Sequence, residues 1–316
     1  MNEEACLDAI RASPGDAQRW AVFADVLQGR GDVRGQLIAL SLGRKSRAER
    51  LLRDEHRLHL ASPRFWSLLD AGVLAAEWAF GHLRTATLQF WNETPFDPTG
   101  LDAVLSSPLS CALESLTLAL PPDADEASRT IHLLRERRPP IHQLELAADA
   151  TADALQVEGL LEALPSVKAA KLYGLTSLSG LSSSRLESLV ARVSDWDGAP
   201  PCQLGTLDAP ELCELEFRVR AETQPALTRW LREGVNAPKL RRLDVEAFVT
   251  SQLIEAVADA PFAATLERLR VLTIDEASAQ VLLKRSASFR KLQHLETRFF
   301  RTSRAIEERV RATFHG

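Results

Sequence analysis

The clearest pattern along the chain is an alternation of leucines and polar residues, L-x-x-L-x-L, which recurs nine times. Successive copies begin about 26 to 30 residues apart, except for one shorter step of about 19 residues. A period of this size is typical of stacked repeats, because a single unit cannot bury its own apolar face. The copies begin at Leu83, Leu113, Ile141, Val167, Leu186, Leu212, Leu240, Leu266 and Leu292.

Each copy predicts a β-strand, because alternate residues of a strand point to opposite faces of a sheet. Apolar residues at helical spacing follow most copies, for example Leu227, Trp230 and Leu231. Strands that alternate with helices favour a parallel sheet. The pattern therefore predicts an α/β leucine-rich-repeat solenoid, with a parallel concave sheet and helices on its convex side.

The repeat is also degenerate. The units that begin at Leu186 and Leu212 lack a convincing helical half, so we expect the stack to be irregular or broken between them. The ninth position of each copy, where many leucine-rich repeats carry asparagine or cysteine, holds other residue types.

The first 60 residues carry no repeat and predict an all-helical cap domain. Asn2 is a suitable cap for a first helix, and Trp20, Phe23, Ala24 and Leu27 form the apolar stripe of a second. A third helix is expected to begin near Gln36. The predicted domains are residues 1–60 (helical), 61–82 (junction and N-terminal cap), 83–300 (about nine repeat units) and 301–316 (C-terminal capping helix, with Ile306, Val310 and Phe314 on one stripe).

Residues 23–36, FADVLQGRGDVRGQ, resemble the signature of the bacterial repeat-companion domain, a short helical module found ahead of leucine-rich repeats. The flanking segments 10–16 (IRASPGD) and 77–83 (EWAFGHL) also fit that family. Val26 and Val33 depart from its usual Trp and Pro. The resemblance covers about the first quarter of the chain. It implies a bacterial protein with this architecture, and it carries over no catalytic residue.

Composition and charge narrow the function classes. The chain has 316 residues and a formal net charge of −5, which argues against a general nucleic-acid binder that must neutralise phosphates. Neither an export signal nor an apolar run of about 18 residues is evident in the sequence, so a soluble cytoplasmic protein is expected. The four cysteines are widely spaced, which predicts reduced thiols rather than a disulfide or zinc framework: Cys6, Cys111, Cys202 and Cys213.

Strand alternation sends the third, fifth and seventh positions of each copy to the open face of the sheet. This face is small and uncharged in the first copies, and it alternates acidic and basic residues in the last ones. We expect Tyr173, the only tyrosine of the protein, to anchor a partner, and charged residues to set its specificity. The alternative is a solvated face whose charges pair across strands. The candidate partner-binding residues are Lys171, Tyr173, Arg192, Glu214, Glu216, Arg218, Arg242, Asp244, Glu246 and Arg270.

Chemical motifs are sparse. His56 and His59 have a spacing that metal sites use, but a third ligand is not evident, and an exposed helix face explains them equally well. The sequence contains none of the common phosphate-binding, nucleophile-elbow or zinc-protease motifs. The sequence therefore predicts no catalytic, cofactor-binding or metal-binding residue, and the protein is not expected to be an enzyme.

These observations favour a protein–protein interaction module, which could act as a scaffold, adaptor or inhibitor through the concave face. A first alternative is regulation of a small GTPase or another enzyme in trans, through an exposed arginine such as Arg220 or Arg241. A second alternative is contact with nucleic acid through the basic run Arg44, Lys45, Arg47, Arg50 and Arg53.

Overall fold

The structure is a computed structural model that describes residues 2–89, 98–121, 123–148, 157, 159–175, 180–193, 204–218 and 224–314. It is a mixed α/β fold with a helical N-terminal region and a large, mostly parallel sheet. The chain divides into two compact units. The first comprises Met1–Pro121 with Arg129–Glu145, and the second comprises Pro122–Ser128 with Leu146–Gly316.

The first unit begins with helices, as the apolar spacing predicts. The Asn2 side chain accepts a hydrogen bond from the Ala5 amide at 2.9 Å, which confirms the predicted cap. The third helix begins earlier than Gln36, because Asp32 caps it by accepting a bond from the Arg34 amide at 2.9 Å. The helices are α1 (Glu3–Ala12), α2 (Ala17–Gln28), α3 (Val33–Leu42), α4 (Ser46–Glu55), α5 (Arg57–Leu60) and α6 (Pro63–Asp70).

The predicted apolar stripe of α2 is buried, and Cys6, Leu7, Ile10 and Ile38 belong to the same core cluster. Helices α2 and α3 approach closely at Gly35. A Cβ atom there would lie 2.7 Å from the Ala24 carbonyl oxygen, so any larger residue would force the two helices apart.

A hairpin follows the helices. Strand β1 (Leu74–Ala79) pairs antiparallel with β2 (His82–Leu88), so the segment 61–82 contains both α6 and β1. The turn residues Phe80 and Gly81 both have positive φ, 50° and 73°, as a two-residue hairpin turn of type I′ requires. A Cβ atom at Gly81 would lie 2.8 Å from that of Leu37, so glycine is needed for space as well as for conformation.

His82, directly after this turn, is buried to 1% exposure and contacts the rings of Trp20 and Phe23. Its Nδ1 donates to the Phe80 carbonyl oxygen at 3.0 Å, which leaves Nε2 as a buried acceptor. Nε2 has no hydrogen-bond partner among the described residues. Burial lowers the pKa of His82 to about 4, because the charged imidazolium would lose its hydration.

A strand lies at each of the nine L-x-x-L-x-L copies, which confirms the predicted strand pattern. The motif leucines are buried and the residues between them are more exposed, as alternation predicts. Beyond β2, the strands are β3 (Ser115–Leu120), β4 (Gln143–Ala148), β5 (Ala169–Leu175), β7 (Ser188–Val193), β9 (Glu214–Arg218), β11 (Arg242–Val249), β12 (Arg268–Ile274) and β13 (His294–Phe299).

Within the first unit β2 pairs parallel with β3. In the second unit the strand order is β5-β7-β9-β11-β12-β13, and each neighbouring pair is parallel. The motif positions align residue for residue, so that Leu215, Leu243 and Leu269 are lateral partners. Homologous positions of successive repeats therefore lie side by side on the sheet.

Helices connect most of these strands. A helix between Ala124 and Arg137 was missed, although it carries Ile131 and Leu134 among its buried residues. Leu227 lies in α10, which continues as a π-helical turn over Trp230–Gly234. The helices are α7 (Pro98–Leu105), α8 (Ala124–Arg137), α9 (Leu160–Ala163), α10 (Gln224–Arg229), α11 (Ser251–Asp259), α12 (Glu276–Lys284) and α13 (Arg304–Phe314).

The three units that begin at Val167, Leu186 and Leu212 each contain a short strand outside the main sheet. Strands β6 (Leu181–Ser182), β8 (Leu207–Asp208) and β10 (Val235–Asn236) form a small parallel sheet in the order β10-β8-β6. The unit that begins at Leu212 contains α10, so the expectation that it lacks a helical half is wrong. In the unit that begins at Leu186, the described residues 188–193 and 204–211 contain no helix. A short strand spans more distance per residue than a helix, so β6 suits the short step between Val167 and Leu186.

None of the helices in the described ranges is long and apolar enough to cross a membrane.

Candidate functional site: the charged face of the second-unit sheet

The candidate residues lie on the exposed face of the sheet in the second unit, arranged in rows across the strands. Three such rows are defined by the strand register. The first contains Ser188, Glu214, Arg242 and Arg268. The second contains Lys171, Val190, Glu216, Asp244 and Arg270. The third contains Tyr173, Arg192, Arg218 and Glu246.

The rows place like charges side by side. Glu216 is the lateral neighbour of Asp244, and Arg242 is the lateral neighbour of Arg268. Lateral neighbours in a sheet are about 5 Å apart, so unscreened like charges at these positions repel each other. An opposite partner for each charge would offset this repulsion.

Opposite partners are present along the whole patch. Arg242 Nη1 lies 2.8 Å from Glu214 Oε1, and Arg270 Nη1 lies 2.7 Å from Asp244 Oδ2. Arg268 also pairs with Glu296 of β13. These contacts match the alternative expectation that the charges of a solvated face pair across strands.

Tyr173 is already contacted within the molecule. The guanidinium carbon of Arg192 lies 5.1 Å from the centre of its ring, within the range of a cation–π interaction. Arg192 Nη2 also donates to Glu216 Oε1 at 3.2 Å, and this bond raises the pKa of Arg192. Tyr173, Arg192 and Glu216 thus form one connected group, and Tyr173 does not stand alone as an anchor.

Asp244 has a perturbed acidity. Partial burial raises its pKa, and the neighbouring carboxylates of Glu216 and Glu246 act in the same direction. The bond to Arg270 opposes this shift but does not reverse it. The ionised form of Asp244 is therefore disfavoured relative to an aspartate in water, and an additional cation nearby would stabilise it.

A depression of about 250 Å³ lies on this face across β7, β9, β11 and β12. It forms because Ser188 and Val190 are short, whereas the residues beside them in register, Glu214 and Glu216, are long. We call it the sheet-face depression. Its polar lining residues are Ser188, Glu214, Glu216, Arg242, Asp244, Arg268 and Arg270.

The structure thus brings five of the ten candidate residues together in the sheet-face depression. Of the others, Arg192 and Tyr173 are linked to it through Glu216, and Arg218 Nε lies 3.8 Å from Glu246 Oε2 in the third row. Lys171 is exposed on β5, beside Val190 in register. Sequence reasoning placed Ser188, Val190 and Arg268 on the open face, but did not select them, because only the strand register shows which short residues adjoin long ones.

The basic run of the first unit divides into two parts. Arg44, Lys45, Arg47 and Arg50 are exposed, and none of them forms an ion pair with a described residue. Arg53, in contrast, is largely buried, with its guanidinium carbon 4.0 Å from the centre of the Trp78 ring. Only the first four residues are therefore accessible to a partner.

The remaining candidates offer little chemistry. The rings of His56 and His59 lie 6.2 Å apart, and within the part of the chain that the structure describes no group of three potential ligands is arranged to hold a metal. Burial raises the pKa of the Cys111 thiol to about 12, which keeps it protonated and unreactive. The side chain of Arg241 is 63% exposed, with its Nε 3.9 Å from Glu267 Oε1. Arg220 and Cys202 lie outside the described residues.

A scan against models of protein families finds no match to the chain, and searches of curated proteins and of solved structures find none either.

Proposed function

We propose that the protein is a protein–protein interaction module, acting as a scaffold, adaptor or inhibitor without catalysis of its own. In this proposal the parallel strands of the second unit are the concave side of a degenerate leucine-rich-repeat solenoid, and residues 1–60 are a bacterial repeat-companion domain. The observation that carries the proposal is the sheet-face depression, because it is a recess with charges of both signs in fixed rows. Repeat proteins bind their partners through such extended faces.

The two rows of the depression define what a partner must present. The first row places Arg242 beside Arg268, and the second places Glu216 beside Asp244. Successive rows on one strand are roughly 7 Å apart, since two residues separate them. A complementary segment therefore carries an acidic and a basic side chain roughly 7 Å apart, a spacing that positions i and i+4 of a helix also provide.

The carboxylates of the second row retain free capacity for a partner cation. Glu216 Oε1 accepts from Arg192, and Asp244 Oδ2 accepts from Arg270. The other oxygen of each group accepts no hydrogen bond from the described residues. A basic side chain placed between these oxygens would relieve the repulsion between the two carboxylates, and Val190 offers an apolar contact for its methylene stem.

The test compares partner capture by the wild-type protein and by a Glu216→Gln/Asp244→Asn double variant, using cross-linking in native lysate followed by mass spectrometry. Both substitutions keep the side-chain size, so the fold is expected to persist. The matched control is Glu233→Gln/Glu255→Gln, which removes the same charge from exposed helical positions of the second unit. We expect the double variant to lose about tenfold or more of the captured partner, and the control to lose none.

Equal capture by the wild type, the double variant and the control would contradict the proposed role of the sheet-face depression. A captured partner whose cross-linked segment lacks the pair of acidic and basic residues would contradict the proposed chemistry of recognition. Circular dichroism of each variant establishes that a loss of capture is not a loss of fold.

A further inference from the structure

Helix α4 of the first unit exposes residues that a monomeric helix normally buries. Leu51 is 61% exposed and Leu58, just beyond the helix in α5, is 76% exposed. The buried residue of α4 is Glu49, which pairs with Arg53 at 3.9 Å. The helix therefore turns Glu49 and Arg53 towards the protein and Leu51 towards solvent, whereas Leu52 is half-buried.

Cations lie on the N-terminal side of Leu51, whereas Asp54 and Glu55 lie on its C-terminal side, towards Leu58. Arg47 and Arg50 lie within one helical turn of Leu51, and Arg44 and Lys45 precede the helix. In the described part of the chain these four side chains have no acidic partner within ion-pair distance, so their charge is directed to solvent. A surface that combines unpaired cations with isolated leucines is complementary to a surface that combines carboxylates with apolar side chains.

A groove of about 890 Å³ continues this surface between α5 and α6. Leu58, Pro63, Ala71 and the indole of Trp66 provide its apolar lining. The Arg57 guanidinium lies 4.8 Å from the Trp66 ring centre and 2.6 Å from the Asp70 carboxylate. Arg57 therefore connects the Trp66 ring and the Asp70 carboxylate along the lining of the groove.

We propose that this surface, formed by Arg44, Lys45, Arg47, Arg50, Leu51 and Leu58 and called here the α4 surface, binds an acidic amphipathic helix of a partner protein. The partner's carboxylates face the four cations, and its apolar side chains cover Leu51 and Leu58 and enter the groove. This binding surface is independent of the sheet-face depression, which lies in the other unit. Helix-in-groove recognition of this kind uses apolar anchors at helical spacing.

The charge distribution favours a protein helix over the other anionic partners. Asp54, Glu55 and Asp70 line the groove, so a partner must carry its negative charge only opposite the cations, unlike the continuous phosphates of a nucleic acid or an anionic membrane. Phosphate contacts also gain nothing from exposed leucines, whereas a helix with acidic residues at one end and apolar residues beyond them satisfies both features.

The experiment measures binding of the full chain to three labelled probes by fluorescence anisotropy at low ionic strength. The first probe is a synthetic helical peptide with glutamates at one end of its exposed face and leucines at i, i+3, i+4 and i+7. The second is a duplex DNA, and the third is a vesicle of phosphatidylserine and phosphatidylcholine. We expect the protein to bind the peptide, and to bind it more tightly than either other probe.

Two variants separate the charged contribution from the apolar one. Arg47→Glu/Arg50→Glu and Leu51→Ser/Leu58→Ser should each weaken peptide binding by about tenfold or more. The matched control is Arg290→Glu/Lys291→Glu, which makes the same charge change at an exposed turn of the second unit, and it should bind as the wild type does. All of these residues are exposed, so the variants are expected to fold.

The proposal is overturned if the peptide does not bind at low ionic strength, or if the serine variant binds as tightly as the wild type. It is also overturned if DNA or the vesicles bind more tightly than the peptide, because the surface would then recognise phosphate. If the control variant weakens peptide binding as much as Arg47→Glu/Arg50→Glu does, the effect is due to net charge alone, and the α4 surface is rejected as the binding site. None of these outcomes bears on the sheet-face depression.

Discussion

The two charged surfaces of this protein treat arginine in opposite ways. On the sheet face of the second unit, Arg242 and Arg270 each have a carboxylate within 2.8 Å. On the α4 surface of the first unit, Arg47 and Arg50 have none among the described residues. Surface arginines therefore differ in what they offer a partner. The charge of a paired arginine is already balanced within the protein, whereas the charge of an unpaired arginine can be neutralised by a partner.

The contrast extends below the surface. Both units bury polar atoms that have no hydrogen-bond partner among the described residues, but in the first unit one of them, Nε2 of His82, belongs to an imidazole whose pKa burial lowers to about 4. Such groups make stability sensitive to pH and to substitution, whereas exposed ion pairs contribute little. The two units should consequently respond differently to the same perturbations.

The largest effect is expected from pH. The pKa of His82 is about 4 in the folded state and about 6.5 in the unfolded chain, so the unfolded state binds an extra proton between these values. The stabilising contribution of neutral His82 is complete above pH 6.5, and it is lost as the pH falls towards 4. The first unit should lose about 3 kcal/mol of unfolding free energy over this interval.

Amide hydrogen exchange at several pH values measures this loss separately in each unit. The His82→Gln variant is the control, since glutamine does not titrate, and its first unit should show a smaller dependence on pH. An equal dependence in the wild type and in His82→Gln would contradict the assignment to His82, because carboxylates would then account for all of it.

Removal of Arg53 should have the next largest effect. Arg53→Gln loses the contact with Trp78 and leaves the buried Glu49 without its cation, so the free energy of unfolding should fall by about 1 to 3 kcal/mol. Arg50→Gln, one turn away on the exposed side, should change it by less than about 0.5 kcal/mol. Urea denaturation of the two variants measures the difference, and equal effects would show that burial of Arg53 is unimportant.

Removing a charge from the sheet face of the second unit should change the free energy of unfolding much less. Asp244→Asn removes the charge that pairs with Arg270, but that arginine is more than half exposed, so solvent screens the interaction. We expect a loss below about 1 kcal/mol, because the raised pKa of Asp244 indicates that its surroundings disfavour the ionised form. A loss of several kcal/mol in urea denaturation would mean that the ion pairs, rather than the buried leucines, hold these strands together.

The smallest expected effect is a stabilisation, that is, an increase in the free energy of unfolding. Arg47→Gln/Arg50→Gln removes two unpaired cations of like charge from one helix, and it should stabilise the first unit by about 0.3 to 0.5 kcal/mol at low salt. The gain should vanish in high salt, where the repulsion is screened. A destabilisation would mean that these arginines already have a partner within the protein.

The fold could be predicted from sequence wherever a local pattern decides the structure. The nine strands follow from leucine spacing, and the cap at Asn2 and the buried stripe of α2 follow from residue type and helical period. Helix α8 was missed because most of its residues are polar and its apolar positions are few. The small sheet of β6, β8 and β10 could not be predicted, because two-residue strands exist only through pairing between repeats.

The candidate site shows the same limit. The repeat period predicts that Glu216 and Asp244 occupy the same position of neighbouring repeats, and the register agrees. It does not predict the recess beside Val190, because the recess depends on differences in side-chain length between adjacent strands. Nor does helical spacing predict that α4 buries Glu49 and exposes Leu51, because that orientation is set by tertiary contacts such as the one between Arg53 and Trp78.

The residue-for-residue alignment of β9, β11 and β12 also arranges the exposed side chains of this face in a regular grid, in which each position corresponds to one residue of the sequence. Because homologous positions are lateral neighbours, the four residues around any grid point can be read from the sequence before a variant is made. Connections of different length do not disturb this order at the motif positions, and the register between β11 and β12 shifts only after Val245. The sheet is consequently a suitable scaffold for combinatorial libraries, in which binding specificity is rewritten position by position while the buried leucines remain unchanged.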